Sequence, residues 1–274
     1  MNELEIARQK AATTYNAAAD FFDHPVNTFW ARFGRRTTER LGLKTGDQVL
    51  DVCCGSGASA IPAAEMVGSS GSVVGIDLAE NLLELARSKA KQQNLTNVQF
   101  QSGDITELPF EDASFDAAVC VFGIFFVPDM TSALSELKRV LRPGGKLAIT
   151  TWGPRLFEPA NTAFWNSVRK FRPDLYKGFN PWDRISEVED LRSLLAAVGF
   201  DGPEIVAESG SQPLNSPSDW WAMIMGSGYR GTIEQLTPEA REQVQKQNTD
   251  FIQRTALRSV ECNVVYATAI KPSA

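Results

Sequence analysis

The sequence has few of the residues that build metal centres or disulfide frameworks. Among its 274 residues there is one histidine, His24. Its four cysteines are Cys53, Cys54, Cys120 and Cys262. They lie in apolar stretches, and their spacing fits neither a disulfide framework nor a set of metal ligands. We therefore expect no bound metal, and a chain that works in a reducing compartment, the cytoplasm.

Long apolar runs and an excess of positive charge are also missing. No stretch approaches the roughly 20 apolar residues that span a bilayer, and the start MNELEIARQK lacks the apolar segment of a secretory signal. The net charge is −6, whereas affinity for nucleic acid comes from clustered lysine and arginine. We expect a soluble chain with a small-molecule partner, no nucleic acid and no membrane span. The oligomeric state stays open.

The middle of the chain alternates strand-like and helix-like segments. Apolar runs predict strands at 47–52, 72–76, 98–101, 115–122 and 146–152. The segments between them, 58–67, 81–93 and 132–141, have the apolar spacing of helices. This alternation predicts an α/β fold with a doubly wound, mainly parallel sheet that has helices on both faces. Such a sheet binds its ligand at the carboxyl ends of the strands.

After Gly153 the pattern loosens into aromatic-rich blocks between further helix and strand signals. We interpret residues 153–186 and 210–258 as insertions that form a helical lid over the ligand edge, joined by the first 40 residues. The expected division is an N-terminal helical lid at 1–40, a ligand-binding core at 41–152, and a segment at 153–274. That last segment completes the sheet and carries the lid insertions.

A glycine-rich turn follows the first predicted strand. Gly55 and Gly57, with the small Ala60, form the pattern G-x-G-x-x-A at a strand-to-helix junction. Such glycines allow a tight turn and a close approach of backbone to ligand, and the small third residue allows close packing of helix and strand. Asp77 ends the second strand about twenty residues later, where a carboxylate accepts bonds from ribose hydroxyls. This combination fits a nicotinamide cofactor or S-adenosylmethionine.

Further motifs favour the second of these ligands. Asp51 precedes the loop, Gly103-Asp104-Ile105 follows the third strand, and Leu141-Arg142-Pro143-Gly144-Gly145 precedes the fifth. Together with the glycine loop they resemble the motifs of class I S-adenosylmethionine-dependent methyltransferases, in particular the ubiquinone/menaquinone-biosynthesis type. Tyr15 to Asp20 resemble the N-terminal entry of that type. The resemblance covers residues 45–152 well, although Cys53 stands where a glycine is often found.

The resemblance implies a Rossmann-like sheet of seven strands and a set of cofactor-binding residues. That set is Tyr15, Asp51, Gly55, Gly57, Asp77, Leu78, Asp104, Ile105 and Phe122. Asp51 would orient the methionyl ammonium, and Asp77 would hold the ribose hydroxyls. Leu78 would lie against the adenine, which Asp104 and Ile105 would recognise, and the carbonyl near Phe122 would receive the ammonium.

The acceptor site is expected among aromatic residues near the same edge. The candidates are Phe125, Phe126, Trp152, Trp221 and Tyr229. They suit a small, largely apolar or aromatic metabolite. His24 is the candidate catalytic base, auxiliary at most, because methyl transfer from a sulfonium depends mainly on proximity and desolvation.

The sequence thus predicts a methyltransferase of class EC 2.1.1.-, with the methylated atom (O, N, C or S) undetermined. Two alternatives stay open at this point. One is a nicotinamide-dependent oxidoreductase, and the other is a catalytically silent nucleoside-binding module.

Overall fold

A seven-stranded sheet forms the centre of the computed structural model, which describes residues 2–273. The described residues form nine strands, β1 (Gln48–Val52), β2 (Ser72–Asp77), β3 (Val98–Ser102), β4 (Phe115–Val121), β5 (Leu141–Trp152), β6 (Asp201–Glu208), β7 (Ser211–Pro213), β8 (Ser259–Glu261) and β9 (Val264–Ile270). The same residues form ten α-helices, α1 (Glu3–Phe22), α2 (Thr28–Leu41), α3 (Ala60–Val67), α4 (Glu80–Gln92), α5 (Met130–Val140), α6 (Ala160–Phe171), α7 (Val188–Val198), α8 (Pro217–Met225), α9 (Arg230–Ile233) and α10 (Pro238–Thr255).

The order of strands confirms the predicted doubly wound, mainly parallel fold. Neighbouring strands run β3-β2-β1-β4-β5-β9-β6, while β7 and β8 pair separately. All pairs from β3 to β5 are parallel, and β9 runs antiparallel to both of its neighbours. The chain order reverses on either side of β1, which is where a sheet of this kind binds its ligand.

The central strands β1 and β4 are buried on both faces of the sheet, which explains why they are mostly apolar. Val49 and Val119 pack on one face in a cluster with α3 and α4. Leu50 and Ala118 point to the other face, in a cluster that includes residues of α5 and α7. Strands of parallel sheets covered on both faces are typically continuous apolar runs, and this is the signal that located them in the sequence.

The first 40 residues divide into two helices with different partners. α1 packs on α4, α8 and α9 at the ligand edge, whereas α2 packs against β4 and β5. Phe29 and Phe33 of α2 are fully buried, and Thr37 bonds to Thr150 of β5 at 2.7 Å. α1 therefore lies at the ligand edge and α2 supports the sheet, while a lid formed by residues 1–40 stays a prediction.

The segments expected as insertions form a connected helical layer, called the cover below (α6 and α8–α10). A buried polar network joins three of its helices. The Trp220 indole of α8 donates to Asn248 of α10 at 2.9 Å, and the Asn248 amide donates to Ser167 of α6 at 2.8 Å. Because such bonds are lost if one helix moves alone, the network holds these helices in register.

The cover meets α1 through three glycines, Gly226, Gly228 and Gly231. A Cβ at Gly226 would lie 2.4 Å from the Phe21 carbonyl oxygen, and one at Gly231 would lie 2.3 Å from the Thr14 hydroxyl. Only a residue without a side chain leaves room for α1 at this distance. We call these three residues the glycine seat. Across the described chain, no helix combines the length and apolar character needed to cross a membrane.

Candidate functional site

A cavity opens at the carboxyl ends of β1 to β4, below α1. Its wall contains the glycine loop and the predicted residues Tyr15, Asp77, Leu78, Asp104, Ile105 and Phe122. The fold brings them together because the carboxyl ends of neighbouring parallel strands meet at one edge of the sheet. Gly55 also lines the cavity, whereas Gly57 and Asp51 lie behind its wall. Residues that lie far apart in the sequence thus surround one space.

The glycine loop has a left-handed backbone at three positions. The φ angles are 56° at Cys53, 53° at Gly55 and 83° at Gly57. Cys53 therefore does more than end the strand: it adopts a conformation that favours glycine and costs a side-chain-bearing residue about 1 kcal/mol. Its side chain fits because Gly123 lies opposite, where an added Cβ would come within 2.3 Å of the Cys53 Cβ.

Asp77 closes the loop from the end of β2. One carboxylate oxygen accepts the Gly55 N–H at 2.9 Å, and the other accepts the Ala79 N–H at 2.8 Å. Burial raises the pKa of Asp77, while these two backbone bonds act in the opposite direction. Each carboxylate oxygen has a second lone pair, so Asp77 still has acceptor capacity on the cavity side.

Asp51 lies behind the loop and is fully buried. One of its oxygens accepts from the Ser59 hydroxyl at 2.6 Å, and its other oxygen has no hydrogen-bond partner within residues 2–273. Burial raises the pKa of Asp51 to about 7, and the charge of Asp77 adds to the effect. A buried acceptor without a partner suits a site completed by a donor-bearing or cationic ligand.

Asp104 ends the loop after β3 and already has partners on two sides. One oxygen accepts from both the backbone and the hydroxyl of Thr106, at 2.7 and 2.8 Å. Its other oxygen forms an ion pair with Arg8 of α1, which also donates to the Thr106 hydroxyl at 2.6 Å. The beginning of α1 is thereby tied to this edge of the sheet.

One face of α1 forms the outer wall of the cavity. Its members follow the helical repeat, and they are Leu4, Ala7, Arg8, Ala11 and Tyr15. The Tyr15 ring meets the rings of Phe22 and Phe126 edge to face, with centroids 6.1 and 5.5 Å away. Burial raises the pKa of Tyr15 well above its usual value, so its phenol stays protonated.

Apart from Tyr15, the wall residues of α1 were missed by the sequence analysis, together with Thr106. The spacing of Leu4, Ala7 and Ala11 was the available signal, but it marks any helix with one buried face.

Of the five aromatic residues predicted to hold the acceptor, Phe126 lines the cavity. Trp152 lies behind the wall, stacked on Phe122 with ring centroids 3.7 Å apart. Phe125 and Trp221 are buried in the core, and the buried Tyr229 donates its hydroxyl to Asn161 at 2.8 Å. Phe126 lies where it can contact an acceptor directly. For the other four residues, contact with an acceptor stays a prediction.

His24 lies outside the cavity, in the turn between α1 and α2. It is exposed, stacks on Phe21 at 5.8 Å between ring centroids, and accepts a bond from the Val26 N–H at 3.3 Å. Its contacts are those of a turn residue. Nor do the described residues contain a cluster of histidine, cysteine and carboxylate side chains that could hold a metal ion.

The cavity therefore has two chemically distinct parts. Carboxylates and backbone groups of Gly55, Asp77 and Asp104 form a polar part, while α1 and Phe126 supply an apolar wall. The acceptors of the polar part fit a ligand rich in hydroxyl and amino groups. The apolar wall suits the exclusion of water from a second molecule beside it.

Comparison with known proteins gives a consistent result. The model of the ubiE/COQ5 methyltransferase family matches residues 5–178. A demethylmenaquinone methyltransferase of Listeria welshimeri is 38% identical over 214 residues, covering 74% of this chain and 89% of that protein. The demethylmenaquinone methyltransferase of Lactococcus lactis is 39% identical over 159 residues, and the match spans 57% of this chain and 61% of the relative.

A solved structure shares the fold at lower identity. The chain resembles a putative methyltransferase of Bacillus halodurans with a TM-score of 0.60 and 23% identity, over 87% of this chain and 98% of that one.

Proposed function

The chain belongs to the ubiE/COQ5 methyltransferase family, and on that premise we propose that it methylates a small, largely apolar acceptor of the quinone type. Its cofactor is S-adenosyl-L-methionine, which supplies an activated methyl group on a sulfonium. The observation that supports the acceptor class is the apolar wall of α1 and Phe126 beside the polar part of the cavity. Both relatives described above are demethylmenaquinone methyltransferases.

The polar part of the cavity accounts for binding of the cofactor. Asp77 presents acceptor capacity for the ribose hydroxyls, and the unpartnered oxygen of Asp51 would receive the methionyl ammonium from behind the loop. Asp104 and Ile105 would bound the adenine, with Leu78 against its ring. The backbone of Gly55 and Gly57, the carbonyl near Phe122, and Tyr15 of α1 complete the proposed set.

The mechanism we propose is proximity and desolvation, without a dedicated histidine base. Asp77 and Asp104 are engaged in hydrogen bonds, and the Tyr15 phenol is held protonated. In this proposal Asp77 and Asp51 are committed to the cofactor, and Asp104 is held by Arg8 and Thr106, so none of these carboxylates serves as the general base. Holding donor and acceptor side by side supplies about 7–11 kcal/mol of the barrier, and the apolar wall removes water from the attacking atom.

The absence of a base on the wall favours an acceptor that is nucleophilic by itself. A reduced quinone meets this need, because its two oxygens donate electron density into the ring. The ring carbon would gain the methyl group as the bond between that methyl and the cofactor sulfur breaks, which leaves the neutral demethylated cofactor, and the ring carbon would then lose its proton to solvent. A cytoplasmic location, expected from the unpaired cysteines, stays a prediction.

A methyl-transfer assay with labelled S-adenosylmethionine tests the proposal. The acceptors would be a demethylated naphthoquinone in its reduced and oxidised forms. We expect label in the reduced form and none in the oxidised form. Tight binding of the demethylated cofactor without transfer to either form would reject the quinone-type acceptor and retain the cofactor assignment. A nicotinamide cofactor that bound more tightly would reject the methyltransferase itself.

A further inference from the structure

An unusual group of exposed aromatic side chains lies between α6 and α7. Large apolar side chains are exposed at four described positions, Ile6, Tyr176, Phe179 and Ile270. Two of these, Tyr176 and Phe179, stand three residues apart in one loop, and Phe179 is the most exposed of the four at 61%. Single exposed apolar residues are ordinary, whereas a local group of them marks an interaction surface.

The same segment is positively charged in an acidic protein. Residues 169–179, RKFRPDLYKGF, contain four basic side chains and one acidic one, although the whole chain has a net charge of −6. Asp174 is paired with Arg172, and the Arg169 guanidinium lies 4.2 Å from the centre of the Tyr176 ring. We call residues 169–179 the basic aromatic loop.

The loop lies close to the elements that form the cavity. A short 3-10 helix, Pro181–Ile185, follows it and packs against the turn Ile124–Phe126, whose last residue lines the cavity. Burial lowers the pKa of Lys177 to about 8, and the charge of Lys10 on α1 lowers it further. The loop is thus connected through Pro181–Ile185 to a turn that forms part of the cavity wall.

We propose that the basic aromatic loop docks the protein on an anionic phospholipid surface, with the cavity close to the bilayer. Aromatic side chains partition into the interface between headgroups and acyl chains, and basic side chains are attracted to anionic lipids. Either signal alone gives weak binding, and the two together give stable but reversible attachment. An anionic membrane offers a negative surface and an apolar interior at the same place, which matches both properties of the loop.

The inference goes beyond the proposed function and does not rest on it, since binding to lipid needs no methyl transfer. A docked loop would bring the cavity to the compartment in which apolar molecules dissolve. It would therefore serve any acceptor that is carried in a bilayer.

Vesicle co-sedimentation of the full-length protein tests the proposal. One set of vesicles contains phosphatidylcholine with about 30% phosphatidylglycerol, and the other contains phosphatidylcholine alone. We expect binding to the first set that weakens as the salt concentration rises, and little binding to the second. Phe179→Asp should lower the partition coefficient about tenfold. Lys170→Glu should lower it about fivefold or more, since each basic residue near such a surface contributes about that factor.

Matched controls lie at the opposite edge of the sheet. Ile270, also exposed, is the last residue of β9 and pairs with Lys146 in the first half of β5, and Lys91 lies in the last turn of α4. Ile270→Asp and Lys91→Glu should retain binding within about twofold. These sites are on the surface, where substitutions leave stability nearly unchanged, and circular dichroism would verify folding of each variant.

Three outcomes would overturn the proposal. Wild-type protein could fail to sediment with the anionic vesicles. Ile270→Asp could lower binding as much as Phe179→Asp, which would make the effect nonspecific. Finally, sedimentation velocity could show a dimer that Phe179→Asp dissociates, which would assign the loop to a second copy of the chain instead of a membrane.

Discussion

Two segments of this protein share the spacing G-x-G-x-x-small, and the fold uses their glycines for different purposes. In the glycine loop after β1, Gly55 and Gly57 have positive φ angles of 53° and 83°. An added Cβ at Gly55 would have ordinary contacts, with the nearest atom 3.5 Å away. Glycine is needed there for the conformation of the backbone, which turns an N–H toward Asp77.

In the glycine seat the reason is space. The φ angle of Gly226 is −96°, which any residue adopts, but an added Cβ would lie 2.3 Å from the Asn27 amide nitrogen. The seat brings α1 against the cover and thereby sets the position of Tyr15 in the cavity wall. The glycine loop and the glycine seat form two sides of one site. The loop does so through its backbone geometry, and the seat does so through close packing. The spacing of glycines alone does not distinguish these uses.

The largest expected effect is a loss of stability caused by a substitution in the glycine seat. Gly226→Ala should lower the free energy of unfolding by about 3 kcal/mol, the upper part of the range for overpacking, because the new methyl group meets backbone atoms of α1. Urea denaturation followed by circular dichroism measures the change. Gly178→Ala is the control, since a Cβ there would lie 3.8 Å from the nearest atom. Equal stability of the two variants would contradict close packing as the reason for the seat.

The second largest effect is a loss of cofactor affinity, expected when Asp77, which closes the glycine loop, is replaced. Asp77→Ala should weaken binding of S-adenosylmethionine by about 1.5–3 kcal/mol, the range for hydrogen bonds to a charged group. Isothermal titration calorimetry measures it directly. Asp116 is the matched control, because it also accepts a backbone N–H, from Gln48 at 2.8 Å, but lies at the amino end of β4. Wild-type affinity in Asp77→Ala, or an equal loss in Asp116→Ala, would refute the ribose assignment.

Binding of the cofactor should depend on pH through Asp51, which lies behind the glycine loop. The pKa of Asp51 is raised from 3.8 to about 7 in the folded protein, so below pH 7 a cationic ligand must first displace a proton. Affinity for the cofactor should therefore fall as the pH drops below 7, by at most about tenfold per pH unit. In Asp51→Asn this dependence should disappear. An affinity independent of pH in the wild type would argue against the contact with the ammonium.

Stability of the free protein should change with pH in the opposite direction. Between about pH 4 and 7 the folded chain holds a proton on Asp51 that the unfolded chain releases. The contribution of Asp51 to the unfolding free energy therefore falls as the pH rises through this window. Thermal unfolding of wild type and Asp51→Asn would show it as a difference between the two slopes. Parallel slopes would mean that Asp51 titrates normally.

The smallest effect is expected on the rate of methyl transfer when His24, which lies outside the glycine loop and the glycine seat, is replaced. His24→Ala should keep the rate of methyl transfer within about tenfold, or roughly 1.4 kcal/mol of barrier, because His24 lies in an exposed turn. Single-turnover kinetics would measure it. A loss of about a thousandfold, with folding and cofactor affinity intact, would identify His24 as the base after all.

The core of the fold was predictable because its signals are local. The helix predicted at 81–93 matches α4 to within one residue at each end, and β1, β2 and β4 begin and end within a residue or so of the predicted strands. Apolar runs reveal strands buried on both faces, and the loop is marked by glycines that its own backbone requires. The same reasoning brought Asp77 and Asp104 to one edge of a sheet, because parallel order follows from alternating strands and helices.

The cover and the outer wall of the cavity were less predictable. Trp221 and Tyr229 carried the same aromatic signal as Phe126, yet they are buried in the core, and Phe126 alone of the three reaches the cavity. Aromatic composition shows that a segment packs, but it does not show against what. Arg8 gave no signal either, since its ion pair joins it to Asp104, which lies nearly a hundred residues along the chain.

The sequence by itself determined the parallel sheet, the glycine loop and the carboxylates at its edge, because each depends on backbone preferences and spacing within a short segment. Only the tertiary structure decided which side chains enclose the cavity, that Gly226 and Gly231 seat α1, and that Phe179 is left exposed. Those outcomes depend on contacts between distant segments, and the identity of a residue does not encode its partner.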